Sequence, residues 1–216
     1  MLSSTAISVR VCLNAVEGLR SPRLLNHESR VADLSVALGE RMGLAGGHLQ
    51  FLRHAASLHD IGKLAIPDSI LGKPSRLDPE EWLHMQQHAD FGAQILRNTD
   101  DATMRHTADI VLQHHEFWDG SGYPAGLRGD AILREARIIN LCDVYDALRE
   151  HRSYKAPFRM GRRCESSCKA IHLGDRAPRV STQTCLLSLN ATTTFSAALS
   201  TRPDEVLGTE TPYSAL

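Results

Sequence analysis

Residues 48–63 read HLQFLRHAASLHDIGK. Leu49, Leu52, Ala55, Ala56 and Leu58 fall at the three-and-four spacing of one helical face, and the stretch then changes character at Asp60-Ile61-Gly62-Lys63. Upstream, residues 24–42 place Leu25, Val31, Leu34, Leu38 and Met42 near the same spacing and stop at Gly43. Downstream, residues 66–74 form a connector with two prolines and a glycine. Asp78-Pro79-Glu80-Glu81 is then a strong helix start, with Asp78 as N-cap, Pro79 at the first helical position and acids in the first turn. The helix expected over 78–96 carries Trp82, Met85, His88, Phe91, Ile95 and Leu96, and another is expected over 102–115 with Ile110, Val111 and Leu112. Three glycines and a proline within residues 119–126 force a loop. A last helix over 131–150 buries Ile132, Ile138, Ile139, Leu141, Val144, Tyr145 and Leu148. No segment alternates with period two between hairpin turns and no internal repeat is visible, so the fold class expected is all-α.

The chain has 216 residues, 42% apolar, 5% aromatic and 23% charged, with 24 basic against 25 acidic side chains. That length suits one domain, or one domain plus an appendage. Balanced charge gives no general reason to expect DNA or an anionic membrane as partner. No run approaches the ~18–20 apolar residues of a membrane span, and the N-terminus lacks a basic region ahead of an apolar block. Cys12, Cys142, Cys164, Cys168 and Cys185 are odd in number with no repeated CxxC, which argues against a disulfide framework or a cysteine-based zinc site. The chain therefore reads as cytoplasmic. Its compositional oddity is eleven histidines, ten of them before residue 159.

His27, His59-Asp60, His88, His114-His115 and Asp143 stand near expected helix ends or on helix faces. Adjacent His-Asp and His-His pairs supply short, rigid sets of nitrogen and oxygen ligands, and a shared carboxylate can bridge two metals. The alternative for any single histidine is a ring satisfied by backbone or carboxylate, and His48, His54, His84, His106 and His151 are read that way. Taken in order, His59-Asp60-Ile61-Gly62-Lys63, the 114–124 run HHEFWDGSGYP, the 143–148 run DVYDAL and Arg152-Ser153-Tyr154-Lys155 closely resemble the HD-GYP family of the HD phosphohydrolase superfamily. The likeness runs from about His27 to Lys155 and takes in His27-Glu28-Ser29-Arg30-Val31, Ile66-Pro67-Asp68 and Met85-Gln86-Gln87-His88.

That resemblance implies a helical HD-type bundle around a histidine/aspartate metal site that hydrolyses cyclic di-GMP to the linear dinucleotide or GMP. Carried over, His27, His59, Asp60 and Asp143 hold one metal, and Asp60, His88, His114 and His115 the other, with Asp60 bridging. Some members bind a third metal through a glutamate four residues before the first histidine. Arg23 occupies that position here, so two ions are expected. Two divalent ions about 3.5–4 Å apart activate water and clamp both the attacking and leaving oxygens of a phosphodiester. A ligand set of histidine and carboxylate without thiolate suits iron or manganese better than structural zinc. Lys63, one turn from His59-Asp60, can bring its ammonium to a non-bridging phosphate oxygen, the alternative being a surface lysine. Arg152 and Lys155, three apart, can approach a second phosphate, or form an ordinary solvated helix end. Tyr123 can offer its ring to a guanine or its hydroxyl to a partner. The alternative there is a structural tyrosine capping the core, and the loop of Gly122, Tyr123 and Pro124 is also expected to serve protein contacts. Cys142 reads as core packing, and a homodimer is among the expectations.

Composition changes near residue 158. Residues 24–158 hold 10 Ser/Thr, whereas 159–216 hold 15, with three of the five cysteines. Residues 1–23 are expected to be a lead-in helix, 24–158 the HD-GYP body and 159–216 a tail that departs from the family. The family continues with an A-V-x-I-I helix and then F-D-P-x-L. Arg162-Arg163-Cys164-Glu165-Ser166 and Val180-Ser181-Thr182-Gln183-Thr184-Cys185 permit those elements in the neighbouring reading frame. A frame shift close to Phe158 is the expectation, with a divergent extension as the alternative. Helices lost there leave apolar surface uncovered, at a cost of several kcal/mol at ~25 cal/mol per Å². No upstream regulatory domain is expected. Two function classes follow: a metal-dependent cyclic di-GMP phosphodiesterase, and a signalling or nucleotide-binding module that keeps the site without turnover. A third reading, another HD phosphohydrolase acting on a different nucleotide, fits the GYP loop and R-x-Y-K less well.

Overall fold

The computed structural model describes residues 2–150, and several of the helices within them start at caps that the sequence supplies locally. Arg152, Lys155 and the tail from 159 lie outside the described residues. α1 (Ser4–Arg20) is N-capped by the Ser3 side chain, which accepts from the Ala6 N–H. α2 (Pro22–Arg41) begins two residues before the expected start, because Ser21 serves as its N-cap and Pro22 opens the first turn. α3 spans Gly47–Ala56, and the chain then tightens into a 3-10 turn over Ile61–Ala65. α4 (Asp68–Leu71) is a single turn inside the expected connector.

The segment 78–96 differs from the single helix expected. It forms α5 (Pro79–Gln86), started by a capping box between Asp78 and Glu81, and α6 (His88–Arg97). The break has a local reason. The His88 imidazole donates from Nδ1 to the Met85 carbonyl at 2.7 Å, the acceptor a continuous helix would offer to the Ala89 N–H. α7 (Ala102–Gln113) is capped by Asp101, and α8 (Arg134–Glu150) follows a 3-10 turn over Gly129–Ala131. Among the described residues there is no strand, and no helix is long and apolar enough to cross a membrane.

Two apolar clusters position the centre of the bundle. Val31, Leu38, Leu52, Ile110, Ile138 and Ile139 join α2, α3, α7 and α8. Ala6, Leu58, Ile61, Ala93, Leu96, Met104 and Val111 join α1, the first 3-10 turn, α6 and α7. α1, expected as a lead-in, thus contributes to the same interior. Cys142 is fully buried in the first cluster, in keeping with a packing role, whereas Val144 is only partly buried.

Among the described glycines, Gly62 leaves the least room for a side chain. A Cβ at this position would lie 1.8 Å from the His88 carbonyl oxygen and 2.5 Å from the Gly92 nitrogen. The 3-10 turn carrying Lys63 can therefore sit directly on the start of α6 only because residue 62 has no side chain.

Candidate metal centre

The seven residues expected as metal ligands come from five places in the chain and meet in the middle of the bundle. His27 is on α2, His59 and Asp60 follow α3, and His88 opens α6. His114 and His115 follow α7, and Asp143 is on α8. Ligand atoms of Asp60, His88, His114 and His115 all lie within 4.8 Å of one another, as do those of His27, His59 and Asp60. Asp60 belongs to both groups, and its two oxygens divide between them. Oδ2 is 3.5 Å from His59 Nε2 and 3.9 Å from His27 Nε2. Oδ1 is 3.5 Å from His88 Nε2 and 4.0 Å from His114 Nε2. Asp143 attaches through His27, with Oδ1 3.0 Å from its Nε2.

Three of the rings are oriented by one repeated device. His59, His88 and His114 each donate Nδ1–H to the carbonyl three residues earlier, Ala56 at 2.7 Å, Met85 at 2.7 Å and Val111 at 2.6 Å. This fixes the tautomer and leaves each Nε2 as a lone pair aimed inward. The consequence is a conflict. His88 Nε2 faces His114 Nε2 at 3.3 Å and His115 Nε2 at 3.2 Å, and the buried His59 Nε2 has no hydrogen-bond partner.

Protonation does not resolve it. Burial lowers the pKa of His114 to about 3, helped by His88 and His59, and burial also lowers His88 and His115. Neutral imidazoles with converging lone pairs fit a divalent cation, and an all-nitrogen and oxygen donor set with an acidic bridge suits such an ion. Burial works against the Asp60 carboxylate, but Lys63, His59, His88 and His27 hold it well below the usual range. It is therefore an anion available to both groups.

Lys63 donates to Asp60 Oδ2 at 2.6 Å, so its ammonium sits at the edge of the centre. Arg20, from α1, donates to the carbonyls of Lys63 (2.9 Å), Leu64 and Ile66 (2.6 Å) and to Asp68 Oδ1 (2.5 Å), holding the segment that carries Lys63. Tyr123 lies tilted over His115, with ring centroids 4.7 Å apart, and meets Trp82 edge-on at 6.3 Å. The loop around it is folded back on the centre. Tyr123 N–H donates to the His115 carbonyl at 3.1 Å, and a Cβ on Gly122 would lie 2.4 Å from that same oxygen. Glu116 closes the loop by accepting from Ala125 N–H at 2.7 Å and Leu127 N–H at 2.9 Å.

Glu116→Gln turns one of those acceptors into a donor facing a donor. A destabilisation of about 1–3 kcal/mol is expected, read as a lowered urea midpoint with an unchanged slope.

Sequence reasoning gave no role to Asp146, Arg30, Arg20, Glu116 or the buried pair Glu17 and Glu28, whose carboxyl pKa values burial raises. Asp146 accepts from His27 Nδ1 at 2.8 Å and from Arg30. A signal existed. His27 and Arg30 are three apart, as are Asp143 and Asp146, so each pair shares a helical face.

The sequence pattern described as HD domain matches residues 12–166. The chain belongs to the HD domain family. This is the superfamily that the motifs resembled, and the helical HD fold expected from them is the fold observed. Among HD domain relatives, a Vibrio cholerae protein named 3'3'-cGAMP-specific phosphodiesterase 2 is 46% identical over 145 residues, which are 67% of this chain and 28% of that protein. A Thermotoga maritima cyclic di-GMP phosphodiesterase is 41% identical over 145 residues, again 67% of this chain and 39% of the relative. The chain thus spans well under half the length of these relatives. The HD domain of the L. monocytogenes phosphodiesterase PgpH, solved with cyclic-di-AMP, shares the fold with a TM-score of 0.60 at 20% identity, covering 89% of this chain and 99% of that one.

Proposed function

We propose that this HD domain is a metal-dependent phosphodiesterase acting on cyclic di-GMP and releasing the linear dinucleotide or GMP. The observation that carries the reading is the buried pair of neutral imidazoles, His88 and His114, whose Nε2 lone pairs face each other at 3.3 Å beside an ionised carboxylate. His27, His59, Asp60 and Asp143 would hold one divalent ion, and Asp60, His88, His114 and His115 a second, with iron or manganese favoured by the thiolate-free donors. When bound, such a pair supplies an activated water and charge neutralisation at the phosphodiester.

The chain's own residues do the rest. Asp60 keeps the two groups in register through its two oxygens. Lys63, already 2.6 Å from Asp60, presents its ammonium where negative charge accumulates on a non-bridging phosphate oxygen. Tyr123 walls the site beside His115 and offers an aromatic face to a guanine. Arg152 and Lys155 are assigned to the second phosphate, where a guanidinium gives bidentate contact. The exposed part of the loop of Gly122, Tyr123 and Pro124 is left for a protein partner, and a homodimer in the cytoplasm is the working assembly. The support is the site chemistry together with relatives named as phosphodiesterases of cyclic dinucleotides.

The test is turnover. Protein loaded anaerobically with iron(II) or manganese(II) is expected to convert cyclic di-GMP to linear product, followed by chromatography, and to act on 3'3'-cGAMP more slowly. Binding of cyclic di-GMP without turnover would replace the enzyme by a nucleotide-binding module. Faster turnover of 3'3'-cGAMP would overturn the assigned substrate.

A further inference from the structure

His27 is oriented differently from His59, His88 and His114. His59, His88 and His114 are each pinned by a carbonyl of their own helical turn, so their orientation is settled locally. His27 is pinned by Asp146 Oδ2, 2.8 Å from its Nδ1 and 119 residues away in the chain. Asp146 is in turn clamped by Arg30, whose Nε donates to both carboxylate oxygens at 2.9 and 3.1 Å and whose Nη2 donates to Oδ2 at 2.8 Å. Two helices supply this arrangement in a reciprocal way. α2 carries His27 and, one turn on, Arg30. α8 carries Asp143 and, one turn on, Asp146.

The two halves of the centre are therefore built differently. Asp60, His88, His114 and His115 stand on the 3-10 turn, α6 and the end of α7, which pack on one another through Gly62, Gly92 and Val111. α8 touches that half through Asn140, whose Nδ2 donates to the His114 carbonyl at 2.5 Å, while the His88 and His114 rings are oriented by their own turns. The half containing His27 and Asp143 exists only when α2 and α8 are docked face to face, and the Arg30 to Asp146 ion pair lies in that seam. A carboxylate behind an imidazole also makes the far nitrogen a stronger donor than a carbonyl does.

We propose that Arg30 and Asp146 are a positioning pair that sets the metal affinity of the His27 half alone, so that the two halves load unequally: the Asp60, His88, His114 and His115 half fills first, and the His27 half fills only with α2 and α8 latched together. The inference rests on the metal-binding reading above. It goes further in assigning different origins, and different sensitivities, to the two ions.

The experiment is titration of metal-free protein with manganese(II), followed by metal analysis and electron paramagnetic resonance. Wild type is expected to bind two ions in two steps and to show the signal of a coupled pair. Asp146→Asn and Arg30→Gln are expected to weaken the second step by about 10- to 100-fold while the first is retained. A single uncoupled manganese spectrum should then remain. Adding His88→Ala to Asp146→Asn should remove that last ion. The retained first step also reports that the variant is folded, and Arg30→Gln, which leaves every ligand intact, guards against a folding defect in the Asp146 variant. Equal weakening of both steps, or two unchanged steps, overturns the proposal and leaves the metal centre standing. A wild-type protein that binds no manganese overturns the metal reading itself, and the proposal with it.

Discussion

Asp60→Ala is expected to reduce the proposed hydrolysis of cyclic di-GMP by at least about 10³-fold, equivalent to about 4 kcal/mol of transition-state stabilisation, and to lower the proposed occupancy of two ions per chain to fewer than one. The size follows from how the carboxylate is used. Oδ1 faces His88 and His114 while Oδ2 faces His27 and His59, so one substitution removes a donor from both halves. It also removes the anion that balances Lys63, 2.6 Å away. The fold is expected to survive, since taking away a buried charge also removes its desolvation cost and the lysine can extend toward solvent. Metal analysis, circular dichroism and product chromatography on one preparation read all three. A folded variant that keeps two ions and activity within tenfold of wild type would remove Asp60 from the centre of the mechanism.

Gly62→Ala is expected to be the most destabilising Gly→Ala change among the described residues. The added Cβ would sit 1.8 Å from the His88 carbonyl oxygen, 2.5 Å from the Gly92 nitrogen and 2.8 Å from the His88 carbonyl carbon. All three are backbone atoms, so no rotamer change relieves the clash. The 3-10 turn and α6 must move apart, which opens the second apolar cluster and carries His88 away from Asp60. A loss of about 3–5 kcal/mol is expected, at the upper end for overpacking, together with weakened metal binding at the His88 half. Gly92→Ala provides the comparison. Its Cβ meets a side-chain atom, Val111 Cγ1 at 2.8 Å, and the Gly62 nitrogen at 3.3 Å, so a loss of about 1–2 kcal/mol is expected. Denaturant midpoints of the metal-free proteins separate the two, and equal stabilities would show that the helix contact is looser than the structure has it.

The helices were legible because their apolar faces repeat every three to four residues, a signal that survives without tertiary information. Their ends were less so. The interruption at Gln87 arises from a side-chain hydrogen bond of His88, and the 3-10 geometry after α3 from contact with α6. No periodicity encodes either. The ligand candidates could be given roles through their likeness to a family, whereas Asp146, Arg30 and Glu116, though they stand in the same motifs, could not. A charged residue beside a ligand looks the same in sequence whether it faces water or clamps that ligand, and what distinguishes the cases here is the α2 to α8 contact and the return of the 116–127 loop.

By itself, then, the amino-acid order determined an all-α domain, the HD family through its likeness to known motifs, and a thiolate-free pool of histidines and aspartates that suits divalent ions. The helices follow from local spacing, the donor chemistry from residue type and the family from ordered motifs, all of which are written along the chain. The tertiary structure alone decided that the two oxygens of Asp60 face different groups, that three rings are oriented by their own turns while His27 is oriented across helices, and that Gly62 is a contact rather than a turn residue. Each of these depends on distances between segments tens of residues apart. Such distances are fixed by packing, in which a single missing Cβ or one buried ion pair selects among arrangements that the sequence pattern permits equally.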